Sequence, residues 1–176
     1  MKICLAPMAA FVMLAGLSGP LVADDTAVAP SAAAIAFSEL PRDAFLDGLE
    51  TRSEAIWADT VLLYTRIDPE LGPFVPGKSW DDEDRQVMGC VYDRFAATDQ
   101  LANFAASIEQ QETMARMIVD TPDMTLLTMS DYDVMTDTPA LDGAMEVMTD
   151  CGQMDLVARR MGEAGLWDKL SKVMAE

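Results

Sequence analysis

The chain has 176 residues, of which 51% are hydrophobic and 24% charged, a composition typical of one globular domain. Thirty acidic residues against 12 Lys and Arg give a formal net charge of −18. A chain this acidic repels phosphate backbones and anionic lipid headgroups, which argues against nucleic acid or a membrane surface as its partner.

Residues 1–23 have the layout of a cleaved secretory signal. Lys2 precedes an apolar run from Met8 to Leu17, a helix breaker follows at Gly19-Pro20, and Ala23 stands before two acids. We expect export and cleavage after Ala23, which leaves no stable membrane span. The alternative is an uncleaved anchor, because the same stretch is long enough to cross a bilayer.

The Ala-rich segment 24–37, which contains Pro30, is predicted to be a flexible leader. Residues 38–176 are predicted to form a single helical domain, because helical periodicity recurs through them and sustained two-residue alternation does not.

The first helical region carries an apolar stripe at steps of four and seven, formed by Phe45, Leu49, Ile56, Leu63 and Ile67. Thr51 and Glu54 fit a capping box, so the region is either one helix or two that meet near Gly48.

The loop 68–78 contains a formal match to the phosphate-binding pattern G-x-x-x-x-G-K-[ST], from Gly72 to Ser79. That loop binds phosphate through successive backbone N–H groups, and Pro73 and Pro76 lack this donor. A predicted helix precedes the match where the pattern needs a strand. We therefore interpret it as a coincidence.

Ser79 is predicted to cap the next helix, whose inward stripe is Trp80, Val87, Val91 and Phe95. Thr98 or Asp99 is predicted to start a further helix, whose inward residues are Leu101, Phe104, Ile108, Ala115 and Ile118. A short helix is also expected from Pro122 to about Met129.

Thr138-Pro139 is predicted to start a helix that Gly152 ends, with an inward stripe of Leu141, Met145, Met148 and Cys151. Two last helices are expected over 153–162 and 166–174, broken near Gly165. Residues 153–176 carry four bases and four acids. We expect this near-neutral tail to fold back onto the acidic body; the alternative is a surface for docking.

Cys90 and Cys151 remain after cleavage, and both lie on predicted apolar stripes. Export to an oxidising compartment favours a disulfide between them. Two buried thiols or a redox pair are the alternatives, although the CxxC spacing of a redox pair is absent. The predicted fold is all-α: a compact bundle of five to seven short helices with one inter-helix disulfide.

Two residue sets could hold a metal ion. Met114 with Met117, and Met145 with Met148, have helical i, i+3 spacing and could bind Cu(I), although methionine more often fills a core. A run of acids could bind calcium, namely Asp131, Asp133, Asp137 and Asp142. A solvated loop explains the same acids, so no metal ligand or cofactor is predicted.

The absence of histidine excludes the Ser-His, Cys-His and His-metal arrangements of many enzymes. Carboxylate pairs of the kind that hydrolyse glycans remain possible, yet no pair can be selected. Glu146 stands between methionines, but helical periodicity points it away from their face. No catalytic residue is predicted.

These observations favour a periplasmic or secreted, non-enzymatic helical domain that binds another exported or envelope protein, or supports the envelope. One alternative is a soluble metal-binding protein that uses Met for Cu(I) or Asp for calcium. The other is a carboxylate-dependent hydrolase of wall glycans.

Overall fold

The fold is known from a computed structural model, which describes residues 29–76, 79–125, 141 and 143–173. In these ranges every regular element is helical. The α-helices are α1 (Ala32–Ser38), α2 (Arg42–Ile67), α3 (Asp82–Ala97), α4 (Leu101–Asp120), α5 (Ala144–Asp150), α6 (Gln153–Glu163) and α7 (Leu166–Val173). A 3₁₀ segment, Pro69–Phe74, follows α2. The all-α prediction is confirmed, whereas the predicted signal over 1–23 lies outside the described residues.

Helix α1 lies where the end of the predicted flexible leader, 24–37, was expected, so residues 32–37 are helical, whereas residues 24–28 lie outside the described residues. Ser31 caps this helix, because its hydroxyl accepts a hydrogen bond from the backbone N–H of Ala34 at 2.9 Å. Ala34 and Phe37 lie on one face and are buried, with the ring of Phe37 stacked on that of Phe45 at 4.4 Å. The buried face holds α1 against α4, although its Ala-rich composition resembles a tail.

Helix α2 is a single helix of 26 residues, and the break considered near Gly48 does not occur. The Thr51 hydroxyl donates to the carbonyl of Asp47 at 3.0 Å within the helix, so Thr51 is not an N-cap. Gly48 allows the ring of Phe37 to approach the backbone of α2 closely, because a Cβ at this position would lie 2.7 Å from the ring. The missing side chain is therefore what lets α1 lie across α2.

The main core lies between α1, α2, α3, α4 and α5. Its centre is a group of aromatic rings in which Phe45 lies 5.0 Å from Tyr92 and 6.1 Å from Phe104, measured between ring centroids. Phe95 completes the group, 4.9 Å from Phe104. The inward positions predicted for the helices that are α2 and α4 are mostly buried here, because the period of the apolar residues indicates which face of a helix is turned inward.

Helix α3 begins two residues later than predicted, because Asp81 and not Ser79 is its N-cap. One carboxylate oxygen of Asp81 accepts from the backbone N–H groups of Glu83 and Asp84, at 2.9 and 3.0 Å. The carboxylate of Asp84 accepts in return from the Asp81 N–H at 2.9 Å. This reciprocal capping box satisfies donors that a serine two residues earlier cannot reach. Val87, predicted to point inward, is only partly buried.

Helix α4 starts at Leu101 with Gln100 at its N-cap, so the predicted start at Thr98 or Asp99 is three or two residues too early. Thr98 ends α3, and Asp99 adopts the left-handed conformation with φ of 55°. Both residues form the turn between the helices. Of the helix predicted from Pro122, residues 122–125 are turn and irregular chain, and the rest lies outside the described residues.

The disulfide between Cys90 of α3 and Cys151, just after α5, is confirmed. The two Cα atoms are 5.7 Å apart and 61 positions apart in sequence. Gly152 follows with φ of 78°, a conformation that favours glycine, and ends the helix as predicted. The predicted start at Thr138-Pro139 is wrong for this helix, because α5 begins at Ala144 after Gly143 and residue 141 is irregular.

Candidate functional site

The last two helices fold back onto the body of the domain and form the C-terminal arm, residues 153–173. The arm closes a second cluster of fully buried side chains, apart from the main core, formed by Tyr64, Leu71, Met161 and Leu166. Tyr64 belongs to α2 and Leu71 to the 3₁₀ segment, whereas the other two belong to the arm. The prediction that the near-neutral tail folds onto the acidic body is confirmed.

Two adjacent arginines of α6 join the arm to the start of α3. Arg160 places one guanidinium nitrogen 2.7 Å from Asp81 and another 2.8 Å from Asp84. Arg159 donates to Glu83 at 2.6 Å. The three acids form the N-cap and first turn of α3, where the helix dipole favours negative charge. The arm therefore neutralises a turn that would otherwise concentrate carboxylates.

A polar cleft of about 340 Å³ lies at this junction. The charged groups that line it are Asp81, Glu83, Arg159, Arg160 and Glu163. Arg159 also lies 3.5 Å from Glu163, one turn further along α6. Both guanidinium groups are thus engaged by acids of the protein itself, and three ion pairs join α6 to the start of α3 at this cleft.

The two carboxylates held by Arg160 differ in acidity. The hydrogen bond from the backbone N–H of Asp84, followed by that from Arg160, lowers the pKa of Asp81 to about 2. Burial raises the pKa of Asp84, although Arg160 lies against it. Carboxyl groups with divergent pKa values can act as acid and base in enzymes. Here both are engaged in capping α3 and in binding Arg160, so their geometry is that of a structural junction.

The lowered pKa of Asp81 predicts an acid-sensitive contribution to stability. Because its folded-state value of about 2 lies below the ordinary 3.8, the ionised group stabilises the fold above about pH 4 and loses this effect as pH falls towards 2. The variant Asp81→Asn keeps an N-cap side chain and removes the charge. We expect it to melt below the parent at pH 6 and together with the parent near pH 2.

Thermal unfolding followed by circular dichroism measures this difference. Asp82→Asn is the matched control, because it removes one charge from the same helical turn, where Asp82 forms no ion pair among the described residues. Its melting temperature should change less at pH 6. A gap between Asp81→Asn and the parent that is equally large at both pH values contradicts the assignment.

The methionines considered for Cu(I) lie in packed positions. Met148 is buried in the main core, and Met145 is partly buried on the same helix. Met114 and Met117 pack against a small third cluster near the end of α4. These placements are those of side chains that fill a core.

Of the remaining candidate site residues, Glu146 is described and the four acids considered for calcium are not. Glu146 is exposed on α5, as its periodicity predicted. The four acids considered for calcium, Asp131, Asp133, Asp137 and Asp142, lie outside the described residues. Within the described ranges, no three His, Cys, Asp or Glu side chains converge as metal ligands.

The formal phosphate-loop match begins in the 3₁₀ segment and is preceded by helix α2, not by a strand. Trp57 of α2 donates its indole N–H to the carbonyl of Pro76 at 2.9 Å, which ties the loop to the helix. Residues 77 and 78 of the match lie outside the described chain.

Ion pairs within the protein engage most of its described basic side chains. Those that lie within 4.0 Å of a carboxylate are Arg42, Arg52, Arg85, Arg94, Arg159, Arg160 and Lys169. The charge asymmetry behind this pattern is visible in the sequence, whereas the individual ion pairs depend on tertiary contacts. The one local signal was the spacing of Asp81 and Asp84, which fits a capping box.

No protein family, curated protein or solved structure matches this chain. Among the helices of the described ranges, none is both long enough and apolar enough to cross a membrane.

Proposed function

We propose that this protein is an exported, non-enzymatic helical domain that binds another exported or envelope protein through its acidic surface. The observation that carries the proposal is the distribution of charge. Most described bases are engaged by acids of the same chain, so the surplus of carboxylates is left facing solvent.

The acids that remain are spread over several helices. Exposed carboxylates without an ion pair in the described structure are Glu39, Asp82, Asp99, Asp120, Glu146, Asp155 and Asp168. Such a surface attracts a basic partner, speeds its association and repels acidic competitors. The partner we propose is therefore a protein with a basic surface patch.

The disulfide and the N-terminal sequence support the location. A bridge between Cys90 and Cys151 persists in an oxidising compartment, and residues 1–23 read as a secretory signal. We propose a periplasmic or secreted protein with cleavage after Ala23. A single bridge across a chain with few cysteines suits a domain that must stay folded without cytosolic chaperones.

Affinity capture tests the proposal. The mature protein is immobilised and exposed to extract from its native envelope at about 0.05 M and about 0.5 M salt. We expect one partner with a basic surface to be retained at low salt and released at high salt. Retention that is unaffected by salt, or the absence of any retained protein, contradicts the proposed function.

Charge variants provide a second test, because removing acids and removing a base should change the affinity for the partner in opposite directions. The double variant Asp120→Asn/Glu146→Gln removes two exposed acids and should weaken binding several-fold, mainly through slower association. Arg116→Gln removes an exposed base from α4 and should strengthen it. Surface plasmon resonance with the captured partner measures both. The same sign for both variants contradicts an electrostatic interface.

A further inference from the structure

We propose that the C-terminal arm is a strap that opens as a unit beyond the disulfide, while the main core stays folded. The first observation in support is that the apolar side chains form separate clusters, one in the main core and one beneath the arm. Met161 and Leu166 of the arm bury themselves in the second cluster, against Tyr64 and Leu71. The aromatic group around Phe45 belongs to the main cluster. Local opening follows cooperative units of this kind.

The seam between arm and body is closed by charge as much as by apolar contact. Arg159, Arg160 and Lys169 each pair with an acid of the body, and all of these pairs are reached by solvent. An exposed pair contributes about 0.2–1 kcal/mol and is screened by salt. The closed state is therefore weakened by any agent that competes for these acids.

The disulfide fixes the root of the arm. Cys151 lies one residue before Gly152, and the bridge holds it on α3. Met154, the second residue of α6, is partly buried against the main core. Gly152 adopts φ of 78°, and the position of its absent Cβ is surrounded by open space. An opening hinged at Gly152 therefore separates Met154 from the main core, while the disulfide keeps Cys151 on α3.

Opening uncovers an apolar surface that is hidden in the closed state. It consists of Tyr64 and Leu71, with Trp57 and Phe74 at its edge. Phe74 lies against Gly165 at the junction of α6 and α7. The strap thus controls access to an aromatic surface on α2 and the 3₁₀ segment. This control is independent of the proposed function, because the arm opens in the isolated protein.

Hydrogen exchange of the intact, bridged protein at neutral pH, read by mass spectrometry, tests the strap. We expect amides of α6 and α7 to exchange at a common rate, faster than amides of α4. Raising the salt to about 0.5 M should accelerate the arm and leave α4 unchanged. Equal protection of the arm and α4, or no response of the arm to salt, overturns the proposal.

A pair of variants isolates the charged seam. Arg160→Ala removes the two ion pairs to Asp81 and Asp84 and should speed exchange of the arm by about 3–10-fold. Arg116→Ala removes the same charge from the exposed face of α4 and should leave the arm unchanged. Faster exchange spread evenly over α4 and the arm in Arg160→Ala indicates global destabilisation and contradicts a separate strap.

Discussion

Replacing Cys90 and Cys151 together by serine lowers the free energy of unfolding by about 4 kcal/mol. The bridge joins two residues that are 61 positions apart in sequence. In the chain-entropy model, closing a loop of this length lowers the conformational entropy of the unfolded chain by an amount equivalent to about 4 kcal/mol. For a domain of this size the melting temperature should fall by roughly 10 °C. Urea unfolding under oxidising conditions measures the difference.

A reductant provides the matched control for this prediction. It should lower the stability of the parent to that of the double variant and leave the double variant unchanged, because the variant has no bridge to reduce. Equal unfolding midpoints for parent and variant, in the absence of reductant, contradict a stabilising role for the disulfide.

The second large effect is expected at Phe45, the centre of the aromatic group. Its ring is fully buried and lies within 6.1 Å of those of Phe37, Tyr92 and Phe104. Phe45→Ala removes this volume from a packed core, at a cost of about 3–5 kcal/mol. Denaturant unfolding should show it as a shift in midpoint with little change in slope.

Phe45→Leu is the control for volume. It keeps an apolar side chain at the site and gives up the ring contacts, so it should cost much less than Phe45→Ala. A loss below about 1 kcal/mol for Phe45→Ala means that the core tolerates the cavity and that the rings are not its centre.

The sequence predicted the helices of the body because their apolar stripes repeat over many turns. The stripe from Phe45 to Leu63 recurs over several turns, and its members Phe45, Leu49, Ile56 and Leu63 are all buried. The pairing of Cys90 with Cys151 was predictable for a related reason, since they are the two cysteines that follow the predicted signal, and the disulfide confirms it. Both predictions depend on patterns that one chain displays without knowledge of its tertiary contacts.

Helix α1 could not be predicted because its signal is carried by contacts. Its seven residues are mostly alanine, and only Ala34 and Phe37 bury apolar surface. The ring of Phe37 packs against Gly48, where a side chain would leave no room for it. In a sequence, however, a glycine within a helical pattern indicates a weak point or an end of the helix. The correct interpretation of Gly48 requires knowing what packs on it.

The predicted start of α3 was wrong because two residues near it are suitable N-caps. Ser79 and Asp81 both belong to residue types that favour the N-cap. Asp81 takes this position because it forms reciprocal hydrogen bonds with Asp84. The ion pairs between the arm and the body were likewise only partly predictable. Net charge predicted that the tail would return to the body, whereas the partners of Arg159 and Arg160 depend on how α6 crosses α3.

Export with a closed disulfide is the claim on which the proposed location and the two-cysteine argument depend. Intact-mass analysis of protein from its native cell, alkylated under non-reducing conditions, tests it most directly. We predict a chain that begins at Asp24, carries no alkyl group and weighs two hydrogens less than the reduced form. A chain that retains residues 1–23 and is alkylated at Cys90 and Cys151 contradicts the account.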